Sequence, residues 1–129
     1  MNGSVLLDTN IVIGLFASDQ AVLSRLSQTN RIFIPSIVLG ELYFGAYKSA
    51  HSEQNVRRLE EFVATSAVLA CDAVTAAHYG RIKRALREKG RPLPENDIWI
   101  AAQAQQHGLT VISRDQHFKE IENLPVEAW

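Results

Sequence analysis

Val5-Leu6-Leu7-Asp8-Thr9-Asn10 is the stretch on which the fold turns, because an apolar run there ends abruptly in an acid and two small polar residues. A continuous apolar run is what a parallel strand covered on both faces requires, so residues 5–7 read as a buried strand. Asp8 then sits at the carboxyl end of that strand. In open α/β sheets the crevice beyond those ends is where ligands bind, and an acid placed there needs a reason. Two reasons are open: Asp8 caps the following helix, or it carries chemistry. Thr9 and Asn10 are themselves good N-caps for Ile11-Val12-Ile13-Gly14-Leu15-Phe16, so the cap can be made without Asp8.

Outward from this stretch, strands and helices alternate. Residues 11–16 and 22–26 carry helical apolar spacing, with Asp19 as a cap between them. Arg31-Ile32-Phe33-Ile34 reads as a second strand closed by Pro35, with Ser36 as the cap of the next helix. That helix is expected from Ile37 to about Ala50, apolar over most of its circumference, followed by a polar helix from Ser52 to about Thr65. A short strand is expected over residues 67–70. Asp72 can cap a long helix from Ala73 to about Lys89, and Gly90-Arg91-Pro92-Leu93-Pro94 breaks the chain as a loop. A helix from about Asn96 to His107 ends at Gly108, and Leu109-Thr110-Val111-Ile112 is a β-branched strand. The tail holds a short helical turn, Pro125, and residues 126–129, either exposed or strand-forming. The alternation predicts a three-layer α/β domain with a short central parallel sheet and right-handed crossovers.

Bulk properties bound the function. The 129 residues, 47% of them apolar, suit one domain spanning residues 1–129. Apolar runs fall far short of the roughly 20 residues needed to span a bilayer, and the beginning lacks a basic region followed by an apolar one. A soluble protein of the cytoplasm, with no membrane partner, is the expectation. Cys71 is the single cysteine. Its apolar neighbours Val68, Leu69 and Ala70 suggest a buried inert thiol, which suits a reducing compartment.

Four acids then stand out. Glu41 has Ile37, Val38, Phe44 and Gly45 as its helical neighbours, so a carboxylate stands on an apolar face, where burying an unpaired charge costs several kcal/mol or forces protonation. Gly40 and Gly45 suggest close backbone approach beside it. Asp97 opens Asp97-Ile98-Trp99-Ile100-Ala101-Ala102, where N-capping is a serious competitor. Asp115 follows the strand ending at Ile112 and can equally cap the turn containing Phe118. Together with Asp8, three of these lie at strand ends or at the helix starts beside them, so they can converge on one crevice. Two carboxylates about 5 Å apart repel by roughly 3 kcal/mol at an effective dielectric near 20, and a cluster of them calls for a proton or a cation. A hard divalent ion, Mg²⁺ or Mn²⁺, resolves the repulsion and can promote hydrolysis of a phosphodiester.

These residues also carry a resemblance. Leu7-Asp8-Thr9-Asn10, Ser36-Ile37-Val38-Leu39-Gly40-Glu41-Leu42, Asn96-Asp97-Ile98-Trp99-Ile100-Ala101-Ala102 and Ser113-Arg114-Asp115 through Phe118 resemble, in order and over nearly the whole chain, a PIN-domain ribonuclease of the VapC toxin type. The resemblance implies that Asp8, Glu41 and Asp97 are the core carboxylates of a Mg²⁺ or Mn²⁺ site, with Asp115 the fourth and more variable member. It implies supporting roles for Thr9, Asn10 and Ser113, with Asn10 holding the Asp8 carboxylate and Ser113 shaping the far wall. A toxin–antitoxin pair is implied as well, with a cognate VapB-like antitoxin whose arginine-bearing tail enters the acidic site, and a homodimer. The apolar and aromatic residues Leu42, Tyr43, Phe44 and Tyr47 are candidates for an interface.

The remaining charge is compatible with RNA. The formal net charge is −1, and it becomes positive once the proposed ligands are set aside. Arg81, Lys83, Arg84, Arg87, Lys89 and Arg91 cluster, with positions 84, 87 and 91 on one helical stripe that can track a phosphate backbone or simply face solvent. Other chemistries fit worse. Asn10 stands where a haloacid-dehalogenase-type phosphatase would place its second aspartate, and Ser113-Arg114-Asp115 offers no receiver-domain lysine. No phosphate-binding glycine loop or Gly-x-Ser-x-Gly elbow is present, and His51, His78, His107 and His117 lack zinc-ligand spacing. Asp115-Gln116-His117 hints at a histidine near the site, but an exposed surface position is the favoured reading. The expected function is a metal-dependent endoribonuclease. The rival is a binding module of the same fold that engages RNA or protein without turnover.

Overall fold

The computed structural model describes residues 3–129. Strands β1 (Ser4–Leu7), β2 (Arg31–Pro35), β3 (Ala67–Leu69), β4 (Thr110–Ile112) and β5 (Val126–Glu127) form one sheet in the order β3-β2-β1-β4-β5. All of its pairings are parallel, with Val5 opposite Ile32 on one side and Thr110 on the other. Six helices flank the sheet: α1 (Thr9–Phe16), α2 (Gln20–Ser27), α3 (Ser36–Tyr47), α4 (Ser52–Ala64), α5 (Ala73–Glu88) and α6 (Glu95–His107). A 3₁₀ turn, Gln116–Glu120, follows β4.

The continuous apolar run at the start becomes the central strand because both of its faces are covered. Leu6 is 0% exposed, and Leu7, Val111 and Ile112 are buried with it. Truncating such a leucine to alanine typically removes 2–5 kcal/mol. The chain winds from β1 outward to β2 and β3, then returns to the opposite side of β1 as β4. Such a reversal is where open α/β sheets place a ligand crevice, here at the carboxyl ends of β1 and β4. The backbone N–H of Asp8 donates to Ile112 O at 3.0 Å, so the two strand ends are tied together where the crevice begins.

Local expectations fare unevenly. Asp19 caps α2, accepting from the backbone N–H groups of Ala21 and Val22, and Asp72 makes a reciprocal capping box with Thr75 at the start of α5. Gly108 ends α6 in the left-handed conformation at φ 66°. Ser36, however, is the first residue of α3, and Pro35 occupies the cap without a side-chain bond. Likewise α6 starts at Glu95 behind Pro94, so Asp97 lies inside the first turn rather than at its cap. The tail settles as β5, an edge strand beside β4. Cys71 is exposed, against expectation. It follows the edge strand β3, whose Ala67 and Val68 are themselves exposed, so the apolar run there faces outward.

Candidate active site

The chain leaves β1 at Asp8 and turns at once into α1. Asp8 is the N-cap of that helix, its Oδ1 accepting from the Thr9 N–H at 2.8 Å. Asp8, not Thr9 or Asn10, therefore makes the cap, and its second oxygen is left for another task. Asp8 is only 5% exposed, and its Oδ2 accepts from the Ser113 hydroxyl at 2.7 Å. Burial pushes its carboxyl above the ordinary carboxylate range, the Ser113 and Thr9 hydrogen bonds oppose this, and the charges of Glu41 and Asp115 add to the upward push.

Ser113 sits just past β4, buried opposite Asp8. Besides donating to Asp8, its oxygen accepts from the Asp115 N–H at 2.9 Å and from Asn10 Nδ2 at 3.4 Å. The Asn10 carbonyl accepts from the Arg114 N–H at 3.2 Å. The expected brace is thus redistributed: Ser113 holds Asp8 directly, and Asn10 reaches it through Ser113 while pinning the loop after β4. Thr9 donates from Oγ1 to Glu41 Oε1 at 2.6 Å, which draws α3 toward the end of β1.

Glu41 corrects the burial argument made from helical spacing. It is exposed, as are Gly40 and Phe44 on the same side of α3, while the buried stripe runs through Val38, Leu39, Leu42 and Ala46. Neither Gly40 nor Gly45 is closely approached, since a Cβ at either would meet nothing within 4 Å. The face that carries Glu41 opens onto the crevice rather than into the core.

Asp97 enters from α6 with a side chain 14% exposed. Its carboxyl is pushed up to about 6, chiefly by burial and then by repulsion from Asp8, Asp115 and Glu41, with His117 pulling the other way. One carboxyl thus feels the charge of all three other acids, and Asp97 and Asp115 bring donor atoms within 4.8 Å of each other. No lysine or arginine among the described residues pairs with any of them. Arg114, the nearest in sequence, turns to Asp19 at 3.0 Å and donates to Trp129 O instead. Crowded, partly buried carboxylates without a cationic side chain form a donor set that suits a hard divalent ion.

His117 is the residue that spacing undervalued. It is exposed as expected, yet its Nδ1 lies 3.0 Å from Asp115 Oδ1 and 3.9 Å from Asp97 Oδ2. The Asp-x-His spacing was its only signal, and only the folding of the 3₁₀ turn against α6 makes that spacing count.

Two surfaces adjoin the site. An apolar groove of about 250 Å³ between α1, α3 and α4 is lined by Thr9, Ile13, Phe16, Glu41, Leu42 and Leu59, with Arg58 on its wall as well. Phe44 and Tyr47 project from α3, each 66% exposed, whereas Leu42 is buried and Tyr43 half-buried. On α5, Arg84 and Arg87 are exposed and Arg84 pairs with Glu88 at 3.2 Å. Arg91 does not share their stripe. The helix ends at Glu88, Gly90 turns left-handed, and Arg91 approaches Glu120 at 3.9 Å. Lys83 bonds Glu95 at 2.9 Å and Tyr79 at 3.0 Å, and Tyr79 stacks on Trp99 at 4.1 Å, so Glu95 is neutralised apart from the four acids.

A PIN domain family model matches residues 5–124. The chain is 38% identical over 127 residues to ribonuclease VapC2 of Haemophilus influenzae, covering 96% of each chain. It is 35% identical, with 96% of each chain covered, to the tRNA(fMet)-specific endonuclease VapC of Shigella flexneri. Among solved structures, the DNA-bound VapBC complex of Salmonella typhimurium superposes with a TM-score of 0.91 at 33% identity, covering 100% of this chain and 99% of that one. VapBC2 of Rickettsia felis, bound to a DNA fragment from its promoter, gives a TM-score of 0.89 at 32% identity, covering 97% of this chain and 98% of that one.

Proposed function

The chain belongs to the PIN-domain family, as a VapC-type ribonuclease toxin of the VapBC toxin–antitoxin class, and from that premise we propose that it is a divalent-cation-dependent endoribonuclease with Asp8, Glu41, Asp97 and Asp115 as its metal-holding carboxylates. The observation that carries the reading is geometric: donor atoms of Asp97, Asp115 and His117 lie within 4.8 Å of one another, Ser113 ties the buried Asp8 to the same turn, and burial with the neighbouring acids pushes the Asp97 carboxyl upward. A crevice that repels its own carboxylates repels the RNA phosphate still more, and Mg²⁺ or Mn²⁺ removes both conflicts. Bound there, the cation supplies Lewis acidity toward the phosphodiester and charge for the oxygen that leaves.

The chain's own residues preorganise that site. Ser113 and the Thr9 N–H fix the two oxygens of Asp8 in one orientation, and Thr9 Oγ1 does the same for Glu41. Asn10 and the Asp115 N–H converge on Ser113 Oγ, so the loop after β4 cannot move without disturbing Asp8. Hydrolysis adds water to phosphorus and breaks a P–O ester bond, and the departing oxygen takes up a proton. Arg84 and Arg87 on α5 contribute phosphate contacts for the RNA.

The partner is a VapB-like antitoxin. The apolar groove beside α1 and α3 has Thr9 and Glu41 in its lining, so an apolar segment lying in it can deliver a cationic side chain to Glu41. The exposed Phe44 and Tyr47 supply apolar area for a homodimer.

The deciding experiment is cleavage of RNA by the purified protein with Mg²⁺ or Mn²⁺, with chelator, and with Asp8→Asn. Activity is expected only with the cation and only with Asp8, while the circular dichroism of the variant matches the parent. Cleavage that survives both chelator and Asp8→Asn would overturn the reading, and folded, metal-replete protein without cleavage would favour a binding module.

A further inference from the structure

His117 brings a nitrogen to a crevice otherwise built of oxygens. One donor atom each from Asp97, Asp115 and His117 lies within 4.8 Å of the others, and His117 Nδ1 stands 3.0 Å from Asp115 Oδ1 and 3.9 Å from Asp97 Oδ2, both inside the roughly 4.2 Å that a single ion about 2.1 Å from each ligand can span. A surface His–Asp pair would account for the 3.0 Å contact with Asp115, its neighbour in the same turn. It does not account for the approach to Asp97, which stands on α6 and reaches the same nitrogen at 3.9 Å.

The turn that carries His117 is firmly placed. Asp115 Oδ1 accepts from the His117 N–H at 2.9 Å, and the Asp115 N–H donates to Ser113 Oγ. Ser113 in turn donates to Asp8, which is 5% exposed and has no cationic side chain paired to it among the described residues. A buried carboxyl without a cationic partner therefore shares a continuous hydrogen-bonded frame with the turn that carries the imidazole. The ring itself is 58% exposed, so it stands at the rim of the crevice, open to an entering ion.

We propose that His117 is a nitrogen ligand to the divalent cation of this site, acting with Asp97 and Asp115, and that it tilts the site toward Mn²⁺ over Mg²⁺. The proposal rests on the reading of the acidic crevice as a cation site. Mg²⁺ is a hard ion that takes oxygen ligands in near-ideal octahedral geometry, whereas an imidazole nitrogen suits first-row transition ions. Replacing one oxygen or water by Nδ1 therefore stabilises Mn²⁺ and gives Mg²⁺ little.

The test is Mn²⁺ binding to the full chain, followed by electron paramagnetic resonance with detection of ¹⁴N coupling, and repeated with Mg²⁺ as competitor. In the parent protein, bound Mn²⁺ is expected to show a directly coordinated nitrogen. In His117→Ala that coupling should vanish, Mn²⁺ affinity should fall about tenfold, and Mg²⁺ affinity should stay within about twofold. Because His117 is exposed, the variant keeps its fold, which a thermal melt verifies. Mn²⁺ bound without ¹⁴N coupling, or coupling that persists in His117→Ala, overturns the proposal and leaves the carboxylate site standing. No Mn²⁺ bound to the parent, or binding unchanged by both Asp8→Asn and Asp97→Asn, overturns the cation reading of the crevice and the proposal with it.

Discussion

Asp97, with its carboxyl pushed up to about 6 from an ordinary 3.8, ties the stability of the metal-free protein to pH. The folded state holds this proton more tightly than the unfolded chain. The stabilisation is therefore fully present below about pH 4 and is lost as pH rises through about 6. At about 1.4 kcal/mol per unit the span is about 3 kcal/mol. Thermal melts in chelator should show a melting temperature that rises from pH 7 to pH 5, and Asp97→Asn should flatten most of that rise. An equal pH dependence in the variant would mean other groups set it. Ser113 makes the second residue-scale prediction. Ser113→Ala removes the donor to Asp8 Oδ2 in a buried position, which should cost about 1–3 kcal/mol in denaturant unfolding and lower cleavage about tenfold. At this scale residue types were legible and partners were not: Asn10 was expected to bond Asp8 and instead bonds Ser113.

α3 and α5 show what periodicity conveys about an element. Spacing correctly groups Ile37, Glu41 and Phe44 on one side of α3, but it does not say whether that side meets core or crevice. Neighbouring elements decide that, and here they leave Glu41 and Phe44 exposed. On α5 the same reasoning extends the helical stripe to Arg91, past the left-handed Gly90 that ends it. With Arg91 removed from the stripe, Arg84 and Arg87 remain as the proposed phosphate contacts. In an Asp8→Asn background, Arg84→Ala with Arg87→Ala should weaken RNA binding and reduce the slope of log K against log salt by about 1.4. An unchanged slope would leave α5 an ordinary solvated face. The end of α6 gives a purely conformational prediction. Gly108 sits at φ 66° with open space around a would-be Cβ, so Gly108→Ala should cost about 1 kcal/mol in denaturant unfolding without touching activity.

For the whole molecule, the four acids come from the end of β1, from α3, from α6 and from the turn after β4, so a cation bridging them links segments spread along the chain. A ligand that binds only the folded state at 100 times its dissociation constant stabilises by about 2.7 kcal/mol, roughly 10 °C in melting temperature for a domain of this size. Saturating Mn²⁺ should produce such a shift at pH 7 and a smaller one at pH 5, where protons compete for Asp97. Differential scanning calorimetry checks this, and a shift of the same size in Asp8→Asn with Asp97→Asn would place the ion elsewhere.

The sequence by itself determined the alternation of strands and helices, the buried first strand, several caps and the family, and it put the four carboxylates forward. Each of these is written in local signals: an apolar run, a capping residue, an acid where a strand stops. Only the tertiary structure decided that Asp8 both caps α1 and faces the crevice, that Ser113 rather than Asn10 holds it, and that Glu41 is exposed. It alone turned Cys71 outward and brought His117 to Asp97. These outcomes depend on which elements pack beside one another across the reversal between β1 and β4. Contacts between residues a hundred positions apart follow from that packing and leave no trace in the spacing along the chain.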